Sequence, residues 1–164
     1  MAKKSINITL HKSEIIYDIQ NKTYLTGLSR DNGDNAAQVA HMQANNDEEN
    51  LNQVMRSVQE AYATMRVMLG EYLTGDAASA DNILEDANGE IEVKLSMPSN
   101  YNAASNDAIA SSLHSYIVNV AIADWFSITN KPDAADYLAK ASANMAEIKK
   151  AISNRTRPQR PIKS

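Results

Sequence analysis

The sequence predicts a mainly α protein: an antiparallel bundle of three main helices, with a small β-hairpin and extended arms at its N- and C-termini. Three observations carry this. Residues 51–73 repeat apolar side chains at helical spacing. Residues 105–152 hold two helix-length stretches divided at Asn130-Lys131-Pro132. After Asn88-Gly89, four apolar residues alternate strictly with polar ones. The chain divides accordingly into an N-terminal arm (1–46) with a short strand and helix, a helical core domain (47–153) carrying the hairpin at about 83–97, and a basic extended tail (154–164).

In order along the chain, "SINITLH" (5–11) sets Ile6, Ile8 and Leu10 between polar neighbours, the period of a short strand. Ser13 is placed to cap a helix through about Tyr24, with Ile15, Ile16 and Ile19 on one face and Gly27 as its stop. "RDNGDN" (30–35) is a turn cluster, and 36–46 is polar and weakly helical. The first strong helix begins at "NNDEENL", where Asn46 or Asp47 caps and the following acids favour the positive end of the helix dipole. Its apolar face runs Leu51, Val54, Met55, Val58, Tyr62, Met65, Met68, Leu69, Tyr72 and Leu73, to a stop at Gly75. Methionines on such a stripe are pliable core filling.

"DNILEDANGEIEVKLSMP" (81–98) predicts the hairpin. Asn88-Gly89 suits a tight turn between a short first strand, Ile83–Glu85, and a second strand with Ile91, Val93, Leu95 and Met97 on one face. The next helix, about Ser105–Thr129, is apolar on nearly every side through "YIVNVAIADWF", so it is expected at the centre, and Asn119 and Asp124 then need partners. The third helix starts at "NKPD" with proline in its first turn, and Leu138, Ala141, Met145, Ile148 and Ile152, with Tyr137 alongside, mark one face of it. It ends at Asn154, because Pro158 and Pro161 cannot sit in a helix interior.

Composition narrows the function. The 164 residues suffice for one core without staples, and no cysteine is present to supply a disulfide, a thiol nucleophile or a thiolate metal site. No run approaches the ~20 apolar residues of a membrane span or the pattern of a secretory signal, so a soluble, unexported chain is expected. The net charge of −4 is unevenly spread. Residues 1–30 hold five bases against Glu14 and Asp18. Residues 31–107 hold fourteen acids against Arg56, Arg66 and Lys94. The last ten carry Arg155, Arg157, Arg160 and Lys163 with no acid. Basic ends around an acidic middle suit copies or partners that meet by opposite charge. They do not make the broad basic face of a duplex-DNA binder, and the tail's charges allow at most a non-specific contact with DNA.

Chemistry is sparse. His11, His41 and His114 lie in separate segments, none in a metal-binding spacing, and there is no phosphate loop or dinucleotide fingerprint. A weak enzyme would have to be built on Asp124 and His114. No enzyme, metal or cofactor is expected.

The C-terminal half, with "ADWFSIT" closing the central helix, the proline-started "KPDAADYLAKASANMAEIKKAI" and then "RTRPQRP", resembles head–tail connector (adaptor) proteins of tailed bacteriophages, in the manner of Bacteroidetes phages and prophages. The resemblance covers about 47–164 and is concentrated in 116–161. It implies a small helical subunit of a homo-oligomeric ring, typically dodecameric, assembled in the host cytoplasm and residing in the virion neck. It implies contact with the portal protein and with other neck and tail proteins, through the C-terminal extension in the portal's case. Arg155, Arg157, Arg160 and Lys163 are then the partner-binding residues, since arginine forms forked pairs with carboxylates. The hairpin, with Glu85, Asp86, Glu90, Glu92 and Lys94, is the expected contact between neighbouring subunits. Another neck, stopper or tail-completion protein of the same particle is the alternative, and a nucleic-acid-binding accessory protein using the basic termini is a further one.

Overall fold

A computed structural model describes residues 2–75 and 79–162; Lys163 and residues 76–78 lie outside the described residues. The chain is mainly helical, with one two-stranded antiparallel sheet. Its elements are β1 (Lys4–His11), α1 (Lys12–Ser29), α2 (Ala36–Met42), α3 (Glu48–Met68), β2 (Glu90–Met97), α4 (Asn106–Thr129) and α5 (Lys131–Ile152). A single 3₁₀ turn, Ala103–Ser105, leads into α4.

The organising element is α4. Ile109, Leu113, Ile117, Ala121, Ile122 and Phe126 are all fully enclosed on it, as expected of a helix apolar on nearly every side. Its polar members are answered. The Asn119 side-chain amide donates to Asn144 Oδ1 of α5 (2.7 Å), and the Asp124 carboxylate accepts from the Ser57 hydroxyl of α3. Against α4 pack α5, which returns antiparallel along its whole length, then α3 and α1. Phe126 meets Tyr137 of α5 edge-on at 5.5 Å, and the Trp125 indole N–H donates to the Met42 carbonyl (2.8 Å), fastening the end of α2.

Two expectations are corrected. The strand at 90–97 exists, but its partner is β1, about eighty residues earlier, in the register Ile6↔Leu95, Ile8↔Val93, Leu10↔Ile91. Residues 83–85 form no strand, so there is no hairpin at 83–97. The Asn88-Gly89 turn does form, Gly89 N–H donating to the Asp86 carbonyl (3.3 Å), but it follows an irregular segment in which Ile83 is 69 % exposed. The physical reason is supply. Ile91, Val93, Leu95 and Met97 need a facing strand that adds apolar residues to the same side, and β1 brings three in register where 83–85 has only Ile83 and Leu84.

The second correction concerns the N-terminal arm. Ile8, Leu10, Ile15 and Ile19 are part of the single hydrophobic core. α1 runs parallel to α4, with His114 Nε2 and Asp18 Oδ2 in contact at 2.6 Å near one end. Near the other end the Thr26 and Tyr137 hydroxyls meet (2.7 Å), and Arg30 grips Asp133. Gly27 is not a stop but an approach point inside α1: a Cβ there would lie 3.1 Å from the Val39 carbonyl oxygen, so glycine lets α2 lie close across α1.

Candidate functional site

The tail begins with a clip. After α5, Asn154 donates its side-chain amide to Ser105 Oγ (2.7 Å), and its carbonyl accepts from Asn102 N–H (3.1 Å). Arg155 bridges Tyr101 in an antiparallel pair, and Thr156 N–H donates to the Asn100 carbonyl (2.8 Å). The Arg155 guanidinium turns back to donate to the Ile152 carbonyl at the end of α5 (2.6 Å), a cation on the negative end of a helix. Under it Tyr101 is completely buried, its hydroxyl donating to Asn106 Oδ1 (2.8 Å), and burial raises its phenol above the ordinary range. Residues 154–156 therefore seal the end of the core where α4 begins.

Beyond the clip the chain is different in kind. Residues 157–162 are exposed, without helix or turn, and Ile162 is 96 % accessible. Arg157 and Arg160 have no carboxylate partner among the described residues. Of the four expected partner-binding residues, Arg155 belongs to the body, Arg157 and Arg160 stand free, and Lys163 lies outside the described residues.

The residues expected at a subunit contact lie along one edge, near the β1–β2 pair, and are answered within the chain. Glu85 pairs with Lys12 (2.6 Å), whose ammonium, almost fully buried, also donates to the Asp86 carbonyl (3.3 Å). The Asp86 carboxylate accepts from Asn88 N–H (3.0 Å). Glu90 faces His11 (3.3 Å) and Glu92 faces Lys94 (3.7 Å), both exposed pairs of small energetic weight. His114 and Asp124 are ten residues apart on α4, about 15 Å along the axis. Each is engaged by a different helix, His114 by Asp18 and Asp124 by Ser57, so the two do not share a site.

Two features were not read from the sequence. The first is an open furrow of about 410 Å³ between α3 and α5, floored by α4. Its walls are mostly small and apolar, including Ala61, Val120, Ala123, Ala134 and Leu138, and two carboxylates, Glu60 and Asp124, face it with no cation in its lining. The signal was present as Ser57, Glu60, Ala61 and Thr64 at i, i+3, i+4, i+7, a second stripe on α3 that reads as a solvated face until α5 stands opposite it. The second is an outward apolar stripe on α1, where Tyr17, Tyr24, Leu25 and Leu28 are roughly half exposed while Ile15, Ile16 and Ile19 are buried behind them.

Arg30 of α1 and Asp133 of α5 form an ion pair that ties the two helices. Asp133 is buried; the forked hydrogen bond from Arg30 holds its carboxyl below the usual range against the opposing effect of desolvation, with Asn130 donating as well (2.6 Å). Among the described residues there is no cluster of three or more metal-ligating side chains, and no helix is long and apolar enough to cross a membrane. Compared with protein-family models, with curated proteins and with solved structures, the chain matches none of them.

Proposed function

We propose that this chain is a structural assembly subunit that joins its neighbours through the extension 157–162. In the finer reading it is a head–tail connector: one subunit of a homo-oligomeric ring at the portal–tail junction of a tailed phage, with its extension engaging an adjoining component, for which the resemblance names the portal. The observation that carries the proposal is the contrast at Thr156. Up to that residue the segment after α5 is clipped to the body by backbone hydrogen bonds, and beyond it two arginines and two prolines project without a partner among the described residues. An extended segment gains specificity by wrapping a partner, and prolines lower the cost of ordering it. The apolar outer stripe of α1 supports an oligomer, because such a stripe is unfavourable when left in water.

The rival reading, a nucleic-acid-binding accessory protein using both basic ends, is weakened by where the N-terminal cations go. Lys4 donates to the Tyr101 carbonyl, Lys12 to Glu85, and Arg30 to Asp133, which leaves few of them free for phosphates.

Truncation after Thr156 separates the tail from the clip and is the appropriate test. The shortened chain is expected to fold normally and to leave heads unjoined to tails when electron microscopy examines the particles. Normal particles from the truncated chain refute the docking role. Salt-sensitive binding of the full chain to mixed-sequence DNA would favour the rival instead.

A further inference from the structure

We propose that the furrow between α3 and α5 is the seat for the C-terminal extension of a second copy of this chain. The proposal rests on the reading of 157–162 as a docking element and names its receiver.

Complementarity is the first argument. The extension presents two guanidinium groups without carboxylates, and the furrow presents two carboxylates, Glu60 and Asp124, without cations. Asp124 is held in place by the Ser57 hydroxyl, and Glu60 stands one helical turn from Ser57 on α3, so the two acids are staggered along the furrow. Arginine on carboxylate is the pairing that gains most from a partly apolar setting, through forked, charge-assisted hydrogen bonds.

Shape is the second. Arg157-Pro158-Gln159-Arg160-Pro161-Ile162 repeats with a period of three. In a polyproline helix of three residues per turn, Arg157 and Arg160 fall on one ridge about 9 Å apart, and Pro158 and Pro161 on the next. The arginine ridge turned to Glu60 and Asp124 lays the proline ridge on the small apolar surface of Val120, Ala123, Ala134 and Leu138.

Reach decides whose extension it is. The clip fixes Thr156 beside Asn100, just before α4 begins, whereas Asp124 lies eighteen residues into that helix, about 27 Å along its axis. From Thr156, the Arg160 backbone extends at most about 14 Å and its side chain about 7 Å further, still short of Asp124. A chain cannot bring these arginines to both acids of its own furrow. Donor and receiver sit toward opposite ends of α4; when each copy gives its extension forward and receives one from behind, the contact is heterologous. Such a contact closes into a ring when the rotation between copies permits. Six residues bury well under the ~1,000 Å² of a stable interface, so a single pair is weak, and ring closure supplies the effective concentration that holds the set together.

The test uses a labelled peptide of residues 156–164 and the chain truncated after Thr156, whose folding is checked by circular dichroism. Fluorescence anisotropy is expected to show saturable binding that weakens at least tenfold in Glu60→Arg. A peptide with Arg157 and Arg160 both replaced by Glu should lose binding to the unsubstituted body and regain it on Glu60→Arg. In the full-length chain, Arg157→Glu with Arg160→Glu should abolish concentration-dependent self-association in sedimentation velocity. No peptide binding, or equal binding to the Glu60→Arg body, overturns the proposal. If binding is absent while truncation still leaves heads unjoined to tails, a different protein such as the portal receives the extension, and only the second-copy receiver falls. If neither binding nor joining depends on the extension, the docking reading falls with it.

Discussion

Replacing Ile19 by alanine tests whether the first thirty residues belong to the body. Ile19 lies on the inner face of α1 with no accessible surface, inside the same core cluster as Ile15, Ile117 and Phe126. The change removes three buried carbons, about 2.4 kcal/mol of transfer free energy. The packed core around it, where α1 lies against α4, closes little of the space, and a cavity contribution raises the expected loss to about 3–4 kcal/mol. Urea unfolding at fixed protein concentration, followed through the fluorescence of Trp125, reads this directly, because that residue is the chain's one tryptophan and is buried at the junction of α4 with α2. With a urea dependence of about 2 kcal/mol per molar, the midpoint should fall by about 1.5–2 M with an unchanged slope. The control is Tyr17→Ala on the same helix, 65 % exposed, which should stay within about 0.5 kcal/mol of the parent. If Ile19→Ala leaves the midpoint where Tyr17→Ala leaves it, α1 is not part of the cooperative unit, and the assignment of residues 4–29 to the core is wrong.

Three further outcomes are expected. Asp133→Asn should cost about 2 kcal/mol at neutral pH, the scale of hydrogen bonds to a charged group. Because the native carboxyl titrates below its unfolded value of about 3.9, this contribution is complete above that pH and is lost as pH falls through the lower native value. The gap between wild type and variant in urea midpoint should therefore close between about pH 5 and the acid limit, and a gap that widens on acidification contradicts the Arg30–Asp133 account. Truncation after Ser153, which removes the clip as well as the extension, should lower Tm by several degrees, since the Asn154 and Thr156 hydrogen bonds and the cover over Tyr101 go together. Truncation after Thr156 should leave Tm nearly unchanged; equal Tm values for the two truncations would show that the clip does not hold the body.

Much of the local structure was legible because it is written in nearest-neighbour periodicity. The stripe from Leu51 gave α3, although the helix ends at Met68 and not near the expected stop at Gly75, the apolar-rich run after Tyr116 placed α4 at the centre, and Pro132 after Asn130 marked where α5 begins. Both strands were legible too, from alternation alone, and the exposed character of Arg157 and Arg160 followed from prolines on either side of Gln159. The candidate docking residues were only partly separable. Nothing local distinguishes Arg155 from Arg157, yet one caps the end of α5 and the other stands in solvent.

By itself, then, the sequence determined the long helices, the two strands of the sheet and the buried face of each strand, since those depend on spacing within one element. Only the tertiary structure decided who meets whom. A period of two tells β2 that it needs a partner without saying which, and the larger apolar supply of β1 prevailed over the nearer residues beside Asn88-Gly89. Ile15 and Ile19 became core only because α4 offers a surface for α1. The furrow with Glu60 and Asp124 belongs to no single element: it is the space left where α3 and α5 flank α4 without closing over it, and a gap between helices has no periodicity of its own to read.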